Sequence, residues 1–171
     1  MVTANNISVD AIWNILKDVQ DPEVPVLSVL DLGIVRNVLL HHDQIEVVIT
    51  PTYTGCPAMD MIAMNIRLAL LENDFKNIKI TTVLSPAWTT DWMSDAGKRK
   101  LLAYGIVPPQ PRPDRGPRAD GGSPVMVALS LRCPQCGSGD TRELSRFGST
   151  ACKSLWVCNS CKEPFDHFKS H

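Results

Sequence analysis

Between Val107 and Pro124 the chain carries six prolines, at 108, 109, 111, 113, 117 and 124, and three glycines, at 116, 121 and 122. Proline fixes φ and has no amide hydrogen, so such a stretch supports neither a helix nor a central strand. It divides the 171 residues into two parts, each of which must find its own means of folding. The sequence predicts a first domain over 1–106, a linker over 107–124 and a second module over 125–171. Arginines 112, 115 and 118 in the linker alternate with Asp114 and Asp120, which reads as a solvated tether.

The first part carries elements of mixed type. After Ser8, a natural N-cap, Val9, Ile12, Ile15, Leu16 and Val19 recur at helical spacing. Asp21-Pro22-Glu23-Val24-Pro25 then stops that helix. Ile34 to Leu40 and Ile45 to Thr50 are apolar and β-branched and flank a polar His41-His42-Asp43-Gln44, the pattern of a hairpin. A second helix is predicted over Pro57 to Asn73, a third strand over Ile78 to Leu84, and a last helix over Ser94 to Tyr104 closed by Gly105. The order favours a small two-layer α+β domain with helices on one face of a short sheet. Met59, Met61, Met64, Leu68 and Leu71 of the second helix are expected in the core, with an adaptable docking face as the rival reading. Trp88 and Trp92 are likewise expected to pack inside.

The last 47 residues are too few to fold by apolar burial alone. Strand-like runs at Val125 to Arg132, Arg142 to Phe147, Leu155 to Val157 and Phe165 to Phe168 suggest a β-ribbon. Two knuckles punctuate it: Cys133-x-x-Cys136, followed by Gly137, and Cys158-x-x-Cys161. Four thiolates in two such turns suit one tetrahedral centre, and metal binding supplies folding free energy that a small core cannot. Zinc is the default ion, yet an iron–sulfur cluster uses the same four ligands and the spacing leaves both open. Cys152 is the uncertain member, either a spare buried thiol or a ligand that swaps in. His167 and His171 are weak additional ligands because four sulfurs already fill the site.

Cys56 stands alone in Thr54-Gly55-Cys56-Pro57. Proline favours the first helical position, which predicts Cys56 near an N-cap with its sulfur facing free amides and the positive end of the helix dipole. Both effects favour thiolate, Asp60 opposes it, and simple packing in the interior is the alternative. No second cysteine or basic residue adjoins it in sequence, which argues against thioredoxin-like or thiol-protease chemistry.

The 17 basic and 18 acidic residues give a net charge of −1, so no long-range field draws the chain to nucleic acid or an anionic membrane. From residue 125 onward six basic side chains face four acidic ones, thin for phosphate binding. The N-terminal residues lack the pattern of a secretory signal and no run approaches a membrane span, so a cytoplasmic protein is expected. There, paired cysteines are metal ligands or redox groups more often than disulfides.

Asp21-Pro22-Glu23-Val24-Pro25, Asp31-Leu32-Gly33-Ile34-Val35 and Thr52-Tyr53-Thr54-Gly55-Cys56-Pro57, in that order, resemble the SufT-like iron–sulfur assembly domain family. With the proline stretch and a tail ending in Glu163-Pro164-Phe165, the chain from Ser8 to His171 resembles the PaaD (PaaJ) family of phenylacetate-degradation proteins. The resemblance implies a compact iron–sulfur-assembly-like domain, a zinc-ribbon-like tail and an accessory role beside the multicomponent phenylacetyl-CoA epoxidase. The implied role is maturation of an iron–sulfur or di-iron centre, with an epoxidase subunit or its reductase as client. An electron-transfer or structural subunit carrying its own cluster is the alternative, and a homodimer is left open. The family's Asp-Pro-Glu and Thr-Gly-Cys-Pro motifs fall on Asp21 to Glu23 and Thr54 to Pro57. The resemblance thus makes Cys56, Asp21, Glu23, Thr54 and Gly55 candidates for transient iron or cluster transfer. The chain has no Glu-x-x-His pair for a di-iron site and no Gly-x-Gly-x-x-Gly for a nicotinamide or flavin, so oxygen chemistry is expected from another chain.

Overall fold

The computed structural model describes residues 8–110 and 131–170, which fall into two compact units dividing after Lys100. In the first unit the order is α1 (Val9–Leu16), β1 (Val35–His41), β2 (Gln44–Ile49), α2 (Met59–Glu72) and β3 (Ile78–Thr82), followed by the start of α3 (Asp95–Tyr104). This matches the α+β order read from the sequence, with each expected element differing by a few residues at its ends.

The sheet runs β1-β2-β3, with β1 antiparallel and β3 parallel to β2. The β1–β2 turn uses His42 at φ 55°, a backbone region in which a histidine is tolerated in tight turns. Along β2 the odd residues Ile45, Val47 and Ile49 are buried while Gln44, Glu46 and Val48 are half-buried, the alternation of a sheet with one core face. Against that face lie Ile12 and Leu16 of α1 and Ile62, Ile66 and Leu70 of α2, all fully buried. Ile62, Ile66 and Leu70 recur every four residues, which keeps one line of α2 on the core. Met61, Met64, Leu68 and Leu71 lie 43 to 54% exposed, so the expectation that they belong to the core fails. Among the described residues the sheet has three strands, and one face of a helix is what such a sheet covers.

A second set of contacts locks the segment after β3 onto the loop before β1. Asp31 accepts from the Ser28 amide and hydroxyl, both at 3.1 Å, from the Ser94 hydroxyl at 2.9 Å, and from Lys100. Trp88 donates its indole N–H to the Leu32 carbonyl at 2.8 Å and is buried, as expected. Gly33 has φ 68°, and a Cβ there would stand 2.3 Å from the Trp92 carbonyl oxygen, so only glycine admits that approach. Trp92 is half-buried beneath the Arg36 guanidinium, 3.4 Å from the ring centre.

The second unit holds β4 (Ile106–Val107), β5 (Thr141–Ser145), β6 (Lys153–Cys158) and β7 (Pro164–Phe168) in the order β4-β7-β6-β5. β5, β6 and β7 form an antiparallel ribbon, and β4 joins β7 in parallel. Ile106–Val107 thus begins as a ribbon edge strand, although the sequence reading placed residue 106 in the first domain and opened the linker at Val107. The rest of the linker from 111 and the strand expected over Val125 to Arg132, up to residue 130, lie outside the described residues. The apolar cluster of this unit is small: Val107, Leu131, Cys133, Cys158 and Phe165, with Trp156 against it. Among the described residues no helix is long and apolar enough to cross a membrane.

Candidate functional site: a four-cysteine cluster and a cysteine loop

The two knuckles of the ribbon are built alike. The Cys133 amide donates to the Ser138 carbonyl at 2.9 Å and Gly137 donates back to Cys133 at 2.9 Å. Cys158 donates to Glu163 and Lys162 donates back to Cys158, both at 3.0 Å. Each turn therefore needs a residue of positive φ one place after its second cysteine. Gly137 fills it at 73°, as expected, and Lys162 fills the equivalent place at 66°.

These turns bring the sulfurs of Cys133, Cys136, Cys158 and Cys161 within 4.8 Å of one another. Cys133 and Cys161 stand 3.7 Å apart, and Cys136 and Cys158 3.6 Å. A single ion bound tetrahedrally at a metal–sulfur distance of about 2.3 Å sets its sulfurs about 3.8 Å apart, so the donor set fits one such ion. The electrostatics are those of neighbouring sulfurs that disfavour one another's charge. The Cys161 amide, with that of Ser160, holds the Cys158 thiol down at about 6. Cys161 accepts from the Glu163 amide, yet desolvation and the sulfurs of Cys136, Cys158 and Cys133 push its thiol up to about 12.

Cys152 is buried outside this cluster, its sulfur 3.0 Å from the Thr150 hydroxyl. His167 is also outside it. Its Nδ1 lies 3.3 Å from the Ser154 hydroxyl, and burial pushes its imidazole down to about 4. His171 lies outside the described residues.

In the first unit, topology assembles the other candidates. Because β1 and β2 are antiparallel neighbours, the loop entering β1 and the loop leaving β2 share one end of the sheet, pinned by the Thr50 amide donating to Ile34 at 2.9 Å. The entering loop is closed by the Gln20–Ser28 bridge and by the Asp21 amide donating to Leu27 at 2.9 Å. Asp21, buried, accepts from the amides of Glu23 at 2.8 Å and Val24 at 2.7 Å, so its carboxylate shapes this turn. The leaving loop turns at Gly55, φ 86°, where the Cys56 amide donates to Tyr53 at 3.2 Å.

Cys56 is half-buried, with Thr54 and Gly55 exposed beside it and nothing within 4 Å of where a Gly55 Cβ would stand. Burial raises the Cys56 thiol above its ordinary value, and the carboxylates of Glu23 and Asp21 raise it further; the Ala58 amide and the Tyr53 side chain bond to it without offsetting these effects. The expected thiolate is thereby corrected. α2 starts at Met59 with Ala58 as its N-cap, so Cys56 precedes the helix rather than capping it, and two nearby carboxylates oppose ionisation. The structure does bring Cys56, Glu23 and Asp21 together. Tyr53 was missed as a neighbour; its place three residues before Cys56 in the same motif was the available signal.

An α+β domain with a thiol and two carboxylates at one sheet end, joined to a ribbon with four clustered cysteines, defines a class: an iron–sulfur-assembly-type domain followed by a zinc-ribbon-type module. The family model for iron–sulfur cluster assembly proteins matches residues 9–80, and that for the PaaD zinc beta ribbon domain matches residues 120–169. The chain is 44% identical over 161 residues to a putative 1,2-phenylacetyl-CoA epoxidase subunit of Escherichia coli (strain K12), covering 94% of this chain and 92% of that one. The chain belongs to the PaaD family of phenylacetyl-CoA epoxidase subunits. It is also 36% identical over 92 residues to an Fe-S protein maturation auxiliary factor of Porphyromonas gingivalis (strain ATCC BAA-308 / W83), covering 53% of this chain and 87% of that one. The first domain is similar to the crystal structure of a domain of unknown function, DUF59, from Bacillus anthracis, with a TM-score of 0.51 and 26% identity over 54% of this chain and 89% of that one.

Proposed function

We propose that this protein is an accessory factor that matures a metal centre of the phenylacetyl-CoA epoxidase system and does no substrate oxidation itself. The supporting observation is the convergence of Cys56, Glu23 and Asp21 at one open sheet end. Sulfur and carboxylate together ligate iron, and the half-buried thiol is protonated at neutral pH, so an incoming cation must displace its proton. That competition makes for weak, reversible binding, which suits cargo in transit. Asp21 holds the turn that carries Glu23, while Thr54 and Gly55 leave the approach to Cys56 open.

The ribbon holds a separate, resident ion on Cys133, Cys136, Cys158 and Cys161. Zinc is favoured over a cluster because all four sulfurs lie within 4.8 Å of one another, which suits a single tetrahedral ion, whereas a polynuclear core sets cysteines bound to different metal atoms farther apart. Bound there, zinc supplies folding energy to the small ribbon core. The client is an epoxidase subunit or its reductase.

The test is to produce the epoxidase components with wild-type protein or with Cys56→Ser and assay the iron content and activity of each. The reading expects a folded Cys56→Ser protein, zinc retained in the ribbon, and iron-depleted, inactive client. Unchanged client loading refutes it.

A further inference from the structure

α2 is apolar nearly all round, yet among the described residues of the first unit only one side of it is covered. The buried line is Ile62, Ile66 and Leu70; the stripe Met61, Met64, Leu68 and Leu71 lies on the other side of the helix, at 100° per residue, and is 43 to 54% exposed. Four large apolar side chains in one contiguous stripe on a helix mark a contact surface rather than scattered exposure. Their spacing of three, four and three residues is that of the a and d positions of a two-stranded coiled coil.

The residues flanking the stripe say what covers it. In that register Arg67 takes the g position and Glu72 the following e position, five residues on. When two copies of one helix pair in parallel, g of one chain meets the next e of the other. Arg67 of each copy then faces Glu72 of its mate, twice per dimer. Among the described residues neither makes an ion pair within its own chain, so both are available. Antiparallel pairing would set Arg67 against Arg67 and gains nothing from Glu72. An open groove between α1 and α2 borders the stripe; Leu68 and Ala69 line it on the α2 side, and its rim is largely polar, with Asp18, Asn65 and Glu72 among the lining residues.

We propose that α2 is the contact helix of a parallel homodimer, its Met61–Met64–Leu68–Leu71 stripe packed on that of a second copy and flanked by reciprocal Arg67–Glu72 pairs. The parallel sense sets both Cys56 loops at the same end of the interface. Fewer than two heptads make this a weak, concentration-dependent association, with a dissociation constant of roughly tens of micromolar.

Sedimentation equilibrium of the full zinc-loaded chain from 1 to about 200 µM tests it, with circular dichroism to show that each variant is folded. A dimer should form across this range and be lost in Leu68→Asp. Arg67→Glu alone and Glu72→Arg alone should each weaken it about tenfold, since each converts two attractive contacts into two repulsive ones. The double variant should recover wild-type association. A chain that stays monomeric throughout, a dimer indifferent to Leu68→Asp, or a double variant no better than the single ones overturns the proposal. None of these outcomes depends on whether Cys56 handles iron.

Discussion

Replacing Asp31 by asparagine should destabilise the first unit by about 2–3 kcal/mol. The carboxylate accepts from the Ser28 amide and hydroxyl, the Ser94 hydroxyl and the Lys100 ammonium, and its own residue is buried. Asparagine keeps the shape, and with its amide nitrogen toward Ser94 that hydroxyl can turn to accept, so the unavoidable loss is the charge: the Ser28 amide and hydroxyl and Lys100 then meet a neutral oxygen. Exchanging a charged for a neutral acceptor costs about 1 kcal/mol per hydrogen bond at the two Ser28 donors, and the half-exposed Lys100 adds only a discounted share. Urea unfolding followed by tryptophan fluorescence in a Trp156→Phe background reads the first unit, because the remaining tryptophans, Trp13, Trp88 and Trp92, all lie in it. The midpoint should fall with an unchanged slope. The same network gives a pH signature. Burial raises the Asp31 carboxyl, but Lys100, Ser28 and Ser94 outweigh it and hold the folded value below the ordinary one. Its contribution is therefore complete above the unfolded pKa of about 4 and is lost as pH falls through the lowered folded value, where the wild-type and variant curves should converge. A loss under about 0.5 kcal/mol at pH 7 would refute the claim that this residue anchors the segment after β3.

Further outcomes are expected in both units. Gly33→Ala should cost at least about 2 kcal/mol in the same assay, because its Cβ would meet the Trp92 carbonyl at 2.3 Å on a backbone of positive φ. In the ribbon, Lys162→Gly should raise thermal stability by about 1 kcal/mol by relieving a left-handed lysine, while Gly137→Val should weaken zinc retention against a chelator, measured by metal release. Iodoacetamide labelling of Cys56, followed by peptide mass mapping, should be slower at pH 7.5 than for a free thiol and rise only at more alkaline pH. Glu23→Gln should speed it by removing a carboxylate that disfavours the thiolate.

The fold was legible where residue pattern and core face agree. Alternation along β2, the Asp-Pro-Glu-Val-Pro break and the two cysteine knuckles each dictate local structure on their own. α2 shows what pattern cannot resolve: with apolar residues nearly all round, nothing in the sequence says which line meets the sheet, and tertiary packing chose Ile62, Ile66 and Leu70. Cys56 shows the same limit for chemistry. Gly-Cys-Pro marks the start of a helix, but the placement of the N-cap at Ala58 and the approach of Glu23 and Asp21 from a loop over thirty residues earlier reverse the expected ionisation. Ile106–Val107 belongs to the ribbon sheet because it pairs with a strand some sixty residues later, a contact that no local signal announces.

The division of labour between a resident ion in the ribbon and passing iron at Cys56 is tested most directly by metal stoichiometry under anaerobic conditions. Wild type and Cys56→Ser should each hold one zinc per chain after purification. On titration with ferrous iron, wild type should gain an additional weakly held iron that Cys56→Ser does not take up. Iron with acid-labile sulfide in the ribbon in place of zinc, or equal iron uptake by the two proteins, would contradict the account.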